Sequence, residues 1–355
     1  MKTKLVYVLT CAPEATYIEQ ALMAVWSARY HNPDAHIVLI VDEKTDRLLI
    51  GNRGRILQYI TEKIVVPFED ENLTPMYCSR WIKTQVRLMI KGDFLFVDCD
   101  TICCRSLAEI DNFICEVGAV GDDNTLFSQN VSREETIQKV SPLCDISNEE
   151  YYFSSGVIFC KDSPLTHNLF SLWHTYWKEG LNLGIKIDQP SLAKANIELE
   201  HIIVPIDNVY NNVLYTQNEN LYSSAILHIS NFPQTSFLFK KSILSIIRHT
   251  GITPWMENLI LHIHCTYLPF DYSIKHSTIS EKKAWIQEIA YAAKMYGKNV
   301  DETFKEWEFK VGIQPLLKDL LRLNLYQFAV FVWLVYKYFQ LLKRDNLRSN
   351  VCAIF

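Results

Sequence analysis

The residues that keep a chain from packing are scarce here: glycine and proline number only 11 and 12 among 355. With no internal repeat and no low-complexity stretch, that scarcity excludes collagen-like and disordered classes. Positive charge is also in short supply. The formal balance is −5 at pH 7, so the basic surface that non-specific nucleic-acid binding needs is missing, and no nucleic-acid partner is expected. Ten cysteines are present, yet they lack the regular spacing of a disulfide framework, and Cys99, Cys103 and Cys104 sit inside apolar runs; reduced thiols are expected. An uninterrupted apolar run of roughly 20 residues, enough to span a bilayer, is lacking too. The first apolar run, within Met1 to Thr10, is cut by Pro13 and Glu14 well below the length of a secretory leader, so a cytoplasmic protein is expected. What the chain does have is apolar mass. At 49 % hydrophobic residues it can bury a sizeable core over about two domains' length.

Short apolar runs at Leu5 to Leu9, Ile37 to Val41, Ile64 to Val66, Phe94 to Val97, Val117 to Val120, Tyr152 to Cys160 and Ile202 to Val204 read as strands. Between them, helical spacing predicts helices over Glu14 to Tyr30, Tyr77 to Ile90, Leu165 to Lys178 and Gln189 to Ala195. This alternation predicts an α/β domain with a mixed, mostly parallel sheet flanked by helices, of the kind that binds nucleotides at the carboxyl ends of its strands. After His228 the texture changes, and helices are expected over Ser280 to Tyr296 and Pro315 to Leu342. The division expected is a first domain over 1–245 and a helical C-terminal region over 246–355.

Chemistry concentrates after the strand Phe94 to Val97, where Asp98-Cys99-Asp100 sets two carboxylates one residue apart. In an extended chain such residues point the same way, and together they could hold one hard cation, Mn²⁺ or Mg²⁺; the plainer reading is a pair of turn acids. Lys83 and Arg87 are one helical turn apart in the helix feeding that strand. They could both reach phosphate oxygens, or line a solvated basic face. Asp188 precedes Gln189-Pro190 and could be a helix N-cap. His228 ends an apolar run as either a metal ligand or a hydrogen-bonded strand-end histidine, and His262 and His264 form a rival His-x-His pair that ranks below a structural role. Thr10 and Asp42 close the first two strands, and Tyr17 reads as a packing residue.

These elements together resemble the glycosyltransferase A fold, and within it the glycogenin-like glycosyltransferase family 8. The resemblance rests on Lys83 and Arg87 before Asp98-Cys99-Asp100, then Phe153-Ser154-Ser155-Gly156-Val157, Asp188-Gln189, Tyr210-Asn211 and His228, in that order over residues 3 to 230. It departs at Ser154, where the family has Asn, and after His228, where the family's Gly, Lys, Pro and Trp are absent. The resemblance implies a metal-dependent, retaining enzyme that moves a hexose from a nucleotide diphosphate sugar, a UDP-sugar, to a glycan hydroxyl. It implies Asp98, Asp100 and His228 as ligands of Mn²⁺ or Mg²⁺. Thr10 and Asp42 fall near the nucleotide base, Lys83 and Arg87 near the diphosphate, Ser154 and Ser155 in the donor or acceptor pocket, and Asp188 with Gln189 near the anomeric carbon. The alternative is a catalytically silent relative that binds a nucleotide sugar or glycan, which the two departures favour. Nucleotidyl transfer ranks lower, because Thr10-Cys11-Ala12-Pro13 has no glycine for a phosphate loop.

Leu323 to Tyr336 is uncharged and aromatic, with Arg322 before it and Lys337, Lys343, Arg344 and Arg348 after it. It reads either as a helix packed on the first domain or as an interfacial helix. The second reading is peripheral contact with the inner membrane face through 315–348, and it favours a lipid-linked glycan as acceptor.

Overall fold

The structure, a computed structural model, describes residues 1–213, 223–229 and 241–261. His262 and His264, the two helices expected beyond Ser280 and the segment 315–348 lie outside the described residues. The chain divides into two units, Met1–Ile252 and Thr253–Phe355.

The strands are β1 (Lys4–Leu9), β2 (Ile37–Asp42), β3 (Glu62–Val66), β4 (Phe94–Val97), β5 (Thr101–Cys103), β6 (Val117–Gly121), β7 (Phe153–Cys160), β8 (Ile203–Pro205), β9 (Asn212–Val213) and β10 (Ile226–His228). The helices of the first unit are α1 (Tyr17–His31), α2 (Glu43–Leu48), α3 (Pro75–Lys83), α4 (Val86–Met89), α5 (Arg133–Val140), α6 (Pro164–Asn182), α7 (Gln189–Glu198) and α8 (Lys241–Thr250). In the second unit the described helix is α9 (Pro254–Leu261). Among the described residues no helix is long and apolar enough to cross a membrane.

Seven strands form one sheet in the order β3-β2-β1-β4-β7-β6-β8, and three form a second in the order β5-β10-β9. Within the large sheet β7 alone runs against its neighbours β4 and β6, while the other pairings are parallel. The sheet is therefore mixed and mostly parallel, as the alternation of segments predicts. Nearly every residue of β1, β2, β4, β6 and β7 is buried, which is why these strands read as continuous apolar runs rather than alternating ones: helices cover both faces. On one face α6 starts at a capping box, Ser163 with Thr166, with Pro164 in its first turn. It buries Leu169, Phe170 and Trp173 against Phe94, Phe96 and Ile158.

One expected helix divides. Tyr77 to Ile90 forms α3 and α4, interrupted at Thr84 and Gln85. The Thr84 hydroxyl donates back to the carbonyls of Arg80 (2.9 Å) and Trp81 (3.2 Å) and meets His174 Nδ1 at 2.8 Å, so a buried β-branched residue competes for the backbone where the helix would continue. Lys83 and Arg87 consequently do not share a face. Arg87 is wholly buried at the amino end of β4, the end opposite Asp98. Its guanidinium donates to the carbonyls of Ile90, Gly92 and Lys161, lies 3.5 Å from Asp162 and covers the Phe94 ring at 4.7 Å. This corrects the expectation that it reaches a diphosphate; Arg87 closes the bottom of the sheet. Arg87→Ala is expected to cost about 3 kcal/mol of stability in urea unfolding, the loss typical of breaking a buried pair, while cation affinity of the folded protein stays as in the parent.

Candidate active site

The chain crosses from the large sheet to the small one at Asp98-Cys99-Asp100. Asp98 still ladders with β7 through its N–H to the Gly156 carbonyl, 2.8 Å. The next two residues turn, with the Thr101 hydroxyl closing onto the Asp98 carbonyl at 2.8 Å, and β5 then pairs antiparallel with β10. The carboxylates thus converge through a turn, where the spacing argument expects an extended chain. The same crossing brings in the histidine: His228 pairs with Thr101 in the β5–β10 register, and Ile229 N–H donates to the Asp100 carbonyl at 2.9 Å.

One ligand atom from each of Asp98, Asp100 and His228 lies within 4.8 Å of the others. Two carboxylate oxygens and an imidazole nitrogen at that spacing fit a divalent cation with only a small contraction. His228 Nε2 lies 3.2 Å from Asp100 Oδ1, and Nδ1 is 2.9 Å from Asn211 Oδ1. The amide oxygen can only accept, so Nδ1 carries its proton and Nε2 is the atom presented to the acids. Asn211 in turn donates to Ser154 Oγ at 3.0 Å. Burial pushes the Asp98 carboxyl above its ordinary range against the pull of Lys83. Burial acts on Asp100 too, but the adjacent His228 overcomes it and holds Asp100 below the ordinary range.

Lys83, at the end of α3 and buried, is the hub. Its ammonium donates to Asp98 Oδ1 (3.2 Å) and Oδ2 (3.3 Å) and to Ser155 Oγ (3.2 Å), lies 3.4 Å from Asp188 Oδ2, and sits over the Phe96 ring at 4.9 Å. Arg80 Nε takes the other Asp188 oxygen at 3.0 Å. Burial would raise the Asp188 carboxyl, yet Lys83 and Arg80 keep it below its ordinary range. Asp188 does occupy the N-cap position of α7, but its side chain makes no capping bond. Its carbonyl instead accepts from Trp173 Nε1 (2.8 Å) and Ser191 Oγ (2.6 Å), which fixes the residue while freeing the carboxylate for the cations.

Gln189 follows Asp188, and its buried side-chain amide faces the Asp122 carboxyl. The structure therefore gathers Lys83, Asp98, Asp100, Ser154, Ser155, Asp188, Gln189 and His228 at one end of the sheet. Thr10 and Asp42 also lie at carboxyl ends of strands. Thr10 Oγ1 donates to the Pro75 carbonyl at 2.5 Å, and Asp42 caps α2 by accepting from Thr45 N–H at 3.1 Å.

Three residues to which the sequence reading gives no role of their own belong here. Arg80 is one, three positions before Lys83 and so on its face of α3. Asp122 follows β6 as Asp98 follows β4, and neighbours His228 and Gln189; burial and the adjacent Asp123 raise its carboxyl to about 6. Its loop is held by Asp123 and Asn124 in the left-handed region, φ 54° and 58°, with Asn124 bonded to the Asn211 carbonyl (2.8 Å) and to Val213 N–H (2.8 Å). Gly156 is the third: a Cβ there would lie 2.5 Å from His228 Cε1 and 3.2 Å from Asp98 Oδ2.

No protein-family profile and no curated protein matches the chain. Solved structures do. The galactosyltransferase LgtC in complex with donor and acceptor sugar analogues is similar over 64 % of this chain and 86 % of its own, at 17 % identity and a TM-score of 0.43. An active-site mutant of LgtC is similar over 70 % and 96 %, at 15 % identity and a TM-score of 0.47. Mouse xyloside xylosyltransferase 1 is similar over 65 % and 98 %, at 15 % identity and a TM-score of 0.43.

Gly156→Ala is expected to weaken Mn²⁺ binding by about tenfold or more, the range seen when groups that orient metal ligands are disturbed, with the circular dichroism spectrum unchanged; calorimetric titration measures it. Asp122 gives a pH test. Its folded-state pKa is raised, so the folded chain holds that proton more tightly than the unfolded chain, and ionisation between pH 4 and 6 costs native stability. Asp122→Asn is therefore expected to melt higher than the parent at pH 7.5, with the gain vanishing as pH falls to 4.

Proposed function

We propose that the protein is a glycosyltransferase that moves a hexose from a nucleotide diphosphate sugar, a UDP-sugar, to a hydroxyl of a glycan or lipid-linked glycan, with retention and with Mn²⁺ or Mg²⁺ required. One observation carries this reading: Asp98, Asp100 and His228 converge beside the Lys83–Asp188–Arg80 network at the carboxyl edge of a mostly parallel sheet. The imidazole nitrogen in the ligand set favours Mn²⁺ over Mg²⁺. Residues 1–245 hold the catalytic part.

In the transfer, the bond from the anomeric carbon to the diphosphate oxygen breaks and its electron pair leaves on that oxygen. The acceptor hydroxyl oxygen bonds the same carbon, and its proton passes to the departing diphosphate. The transition state is oxocarbenium-like, positive at the sugar and negative at the leaving oxygen. A divalent ion held by Asp98, Asp100 and His228 would supply Lewis-acid stabilisation of that leaving oxygen. Lys83 holds Asp98 and Asp188 at fixed separation, so the acids are arranged before any ligand arrives. Asp188, ionised by its two cations, supplies negative charge on the sugar side. The Gln189 amide, beside Asp122, is the neutral group that offers a hydrogen bond there.

The alternative, a silent nucleotide-sugar binder, is favoured by Ser154, whose hydroxyl is taken by Asn211 and by Gly156 N–H (3.3 Å). Release of nucleoside diphosphate from a panel of nucleotide sugars, followed with Mn²⁺ and with EDTA, separates the two. Turnover with at least one donor is expected in Mn²⁺, falling to background in EDTA and in both Asp98→Asn and Asp100→Asn; absence of release with every donor would favour the silent binder.

A further inference from the structure

From β1 the large sheet runs through β2 to β3 on one side and to β4 on the other, so the chain reverses its course across the sheet between β1 and β4. The crevice outside the carboxyl ends of two such strands is where open α/β sheets take ligands. One wall of it is the Asp98–Asp100 turn; the other is the loop from Cys11 to Thr16. Where the two walls begin, Cys99 Sγ meets the Val8 carbonyl at 3.3 Å. The second wall does little to hold itself. Thr16, at the N-cap of α1, makes no side-chain capping bond, and the carbonyls of Pro13, Glu14 and Ala15 accept from two arginines that come from elsewhere. Arg53 donates to Pro13 through Nη1 (3.0 Å) and to Ala15 through Nη2 (2.7 Å). Arg248 of α8 donates through Nη2 to Ala15 (2.5 Å) and Glu14 (3.5 Å). Glu19 holds both guanidinium groups in register: its side chain is 1 % exposed and takes Arg53 Nε at 2.7 Å and Arg248 Nε at 2.9 Å. Helix α8 is seated beside the same turn of chain, with Leu244 and Ile247 buried. Asn52 and Arg55 donate to the carbonyls of His249 and Thr250, which a helix end leaves without intrahelical partners.

We infer that Arg248 is a positioning residue for a nucleoside diphosphate: through Glu19 and the loop carbonyls it fixes the Cys11–Thr16 wall in its binding shape, so that this half of the crevice is complete only while α8 is docked. The inference rests on the nucleotide-sugar reading and adds to it a dependence of ligand binding on a helix that touches no ligand. The two arginines on Glu19 are not equivalent. Arg53 lies 34 residues away and Arg248 229 residues away, beyond the strand that carries His228. A loop that keeps only the nearer clamp retains its fold but samples other shapes, and affinity then falls in proportion to the time it spends competent.

Two measurements on the full chain test this. One is hydrogen exchange at the amides of Cys11, Ala15 and Gln20, which are held by Thr45 Oγ1 (2.7 Å), the Ala12 carbonyl (3.1 Å) and the Thr16 carbonyl (3.2 Å). The other is calorimetric titration in saturating Mn²⁺ with UDP and, separately, with inorganic pyrophosphate. Arg248→Gln is expected to speed exchange at these amides and to weaken UDP, each by about tenfold, the effect of cutting the competent fraction to about a tenth. Pyrophosphate, which has no nucleoside to meet the β1 wall, and Mn²⁺ itself are expected to bind as in the parent. Arg248→Lys, which keeps the charge and loses the fork, is expected to fall between. Parental UDP affinity in Arg248→Gln would overturn the inference, and so would weaker UDP binding with parental exchange. An equal loss for UDP and pyrophosphate would put the effect at the cation and overturn it too. If Arg248→Gln loses its near-ultraviolet dichroism, folded Arg248→Lys decides, and parental exchange with parental UDP affinity there would overturn it. These outcomes leave the nucleotide-sugar reading standing; a parent that binds no UDP overturns that reading and the inference with it.

Discussion

An ammonium group as buried as that of Lys83 has to be neutralised where it stands, because an unpaired charge in the interior costs several kcal/mol. Here the neutralising acids come from separate parts of the chain: Asp98 from the end of β4 and Asp188 from the start of α7, with Ser155 of β7 as the neutral partner. One cation thus ties α3 to three elements distant in sequence, and their geometry follows. Asp98 is drawn toward β7, Asp188 is drawn away from capping its own helix, and the space beside them is left bounded by carboxylates with a common orientation.

The direction of one strand makes this arrangement possible. Because β7 runs against β4, its amino end, with Ser154, Ser155 and Gly156, lies at the same edge of the sheet as the carboxyl end of β4. A parallel β7 would have put its carboxyl end there instead. The small β5-β10-β9 sheet completes the edge by folding a late segment back over the Asp98–Asp100 turn. The close approach of His228 to Gly156 shows how little room that leaves.

Much of this edge is legible in the sequence, because buried parallel strands announce themselves as unbroken apolar runs and the acids stand directly after one. Asp98 and Asp100 can be located that way, Lys83 by the helix that feeds their strand, and Asp188 by its place before Gln189-Pro190. The break at Thr84 cannot, since helical periodicity carries through it and only the competing hydroxyl, with a partner in α6, decides. Arg87 is misassigned for the same reason: a one-turn spacing implies a shared face only if the helix is continuous. Asp188 reads equally as a cap or a charge, and the choice is made by Arg80 and Lys83, which sequence distance hides. Asp122 follows an apolar strand just as Asp98 does, yet its neighbouring acid, Asp123, is adjacent rather than one residue removed, and its raised pKa arises from burial that only the fold creates.

The two-sheet construction also has a kinetic side. Asp98 and Asp100 are neighbours in the chain and are brought together by a local turn, but His228 arrives only after β6, β7, α6, α7 and β8 have been threaded and β10 has docked on β5. Closing so long a loop costs entropy that local contacts do not repay until the last strand pairs, and such non-local pairings form slowly. The complete ligand set is therefore a late product of folding. A nascent chain exposes at most a pair of acids, too few to hold a cation firmly, until the segment carrying the histidine has reached its place.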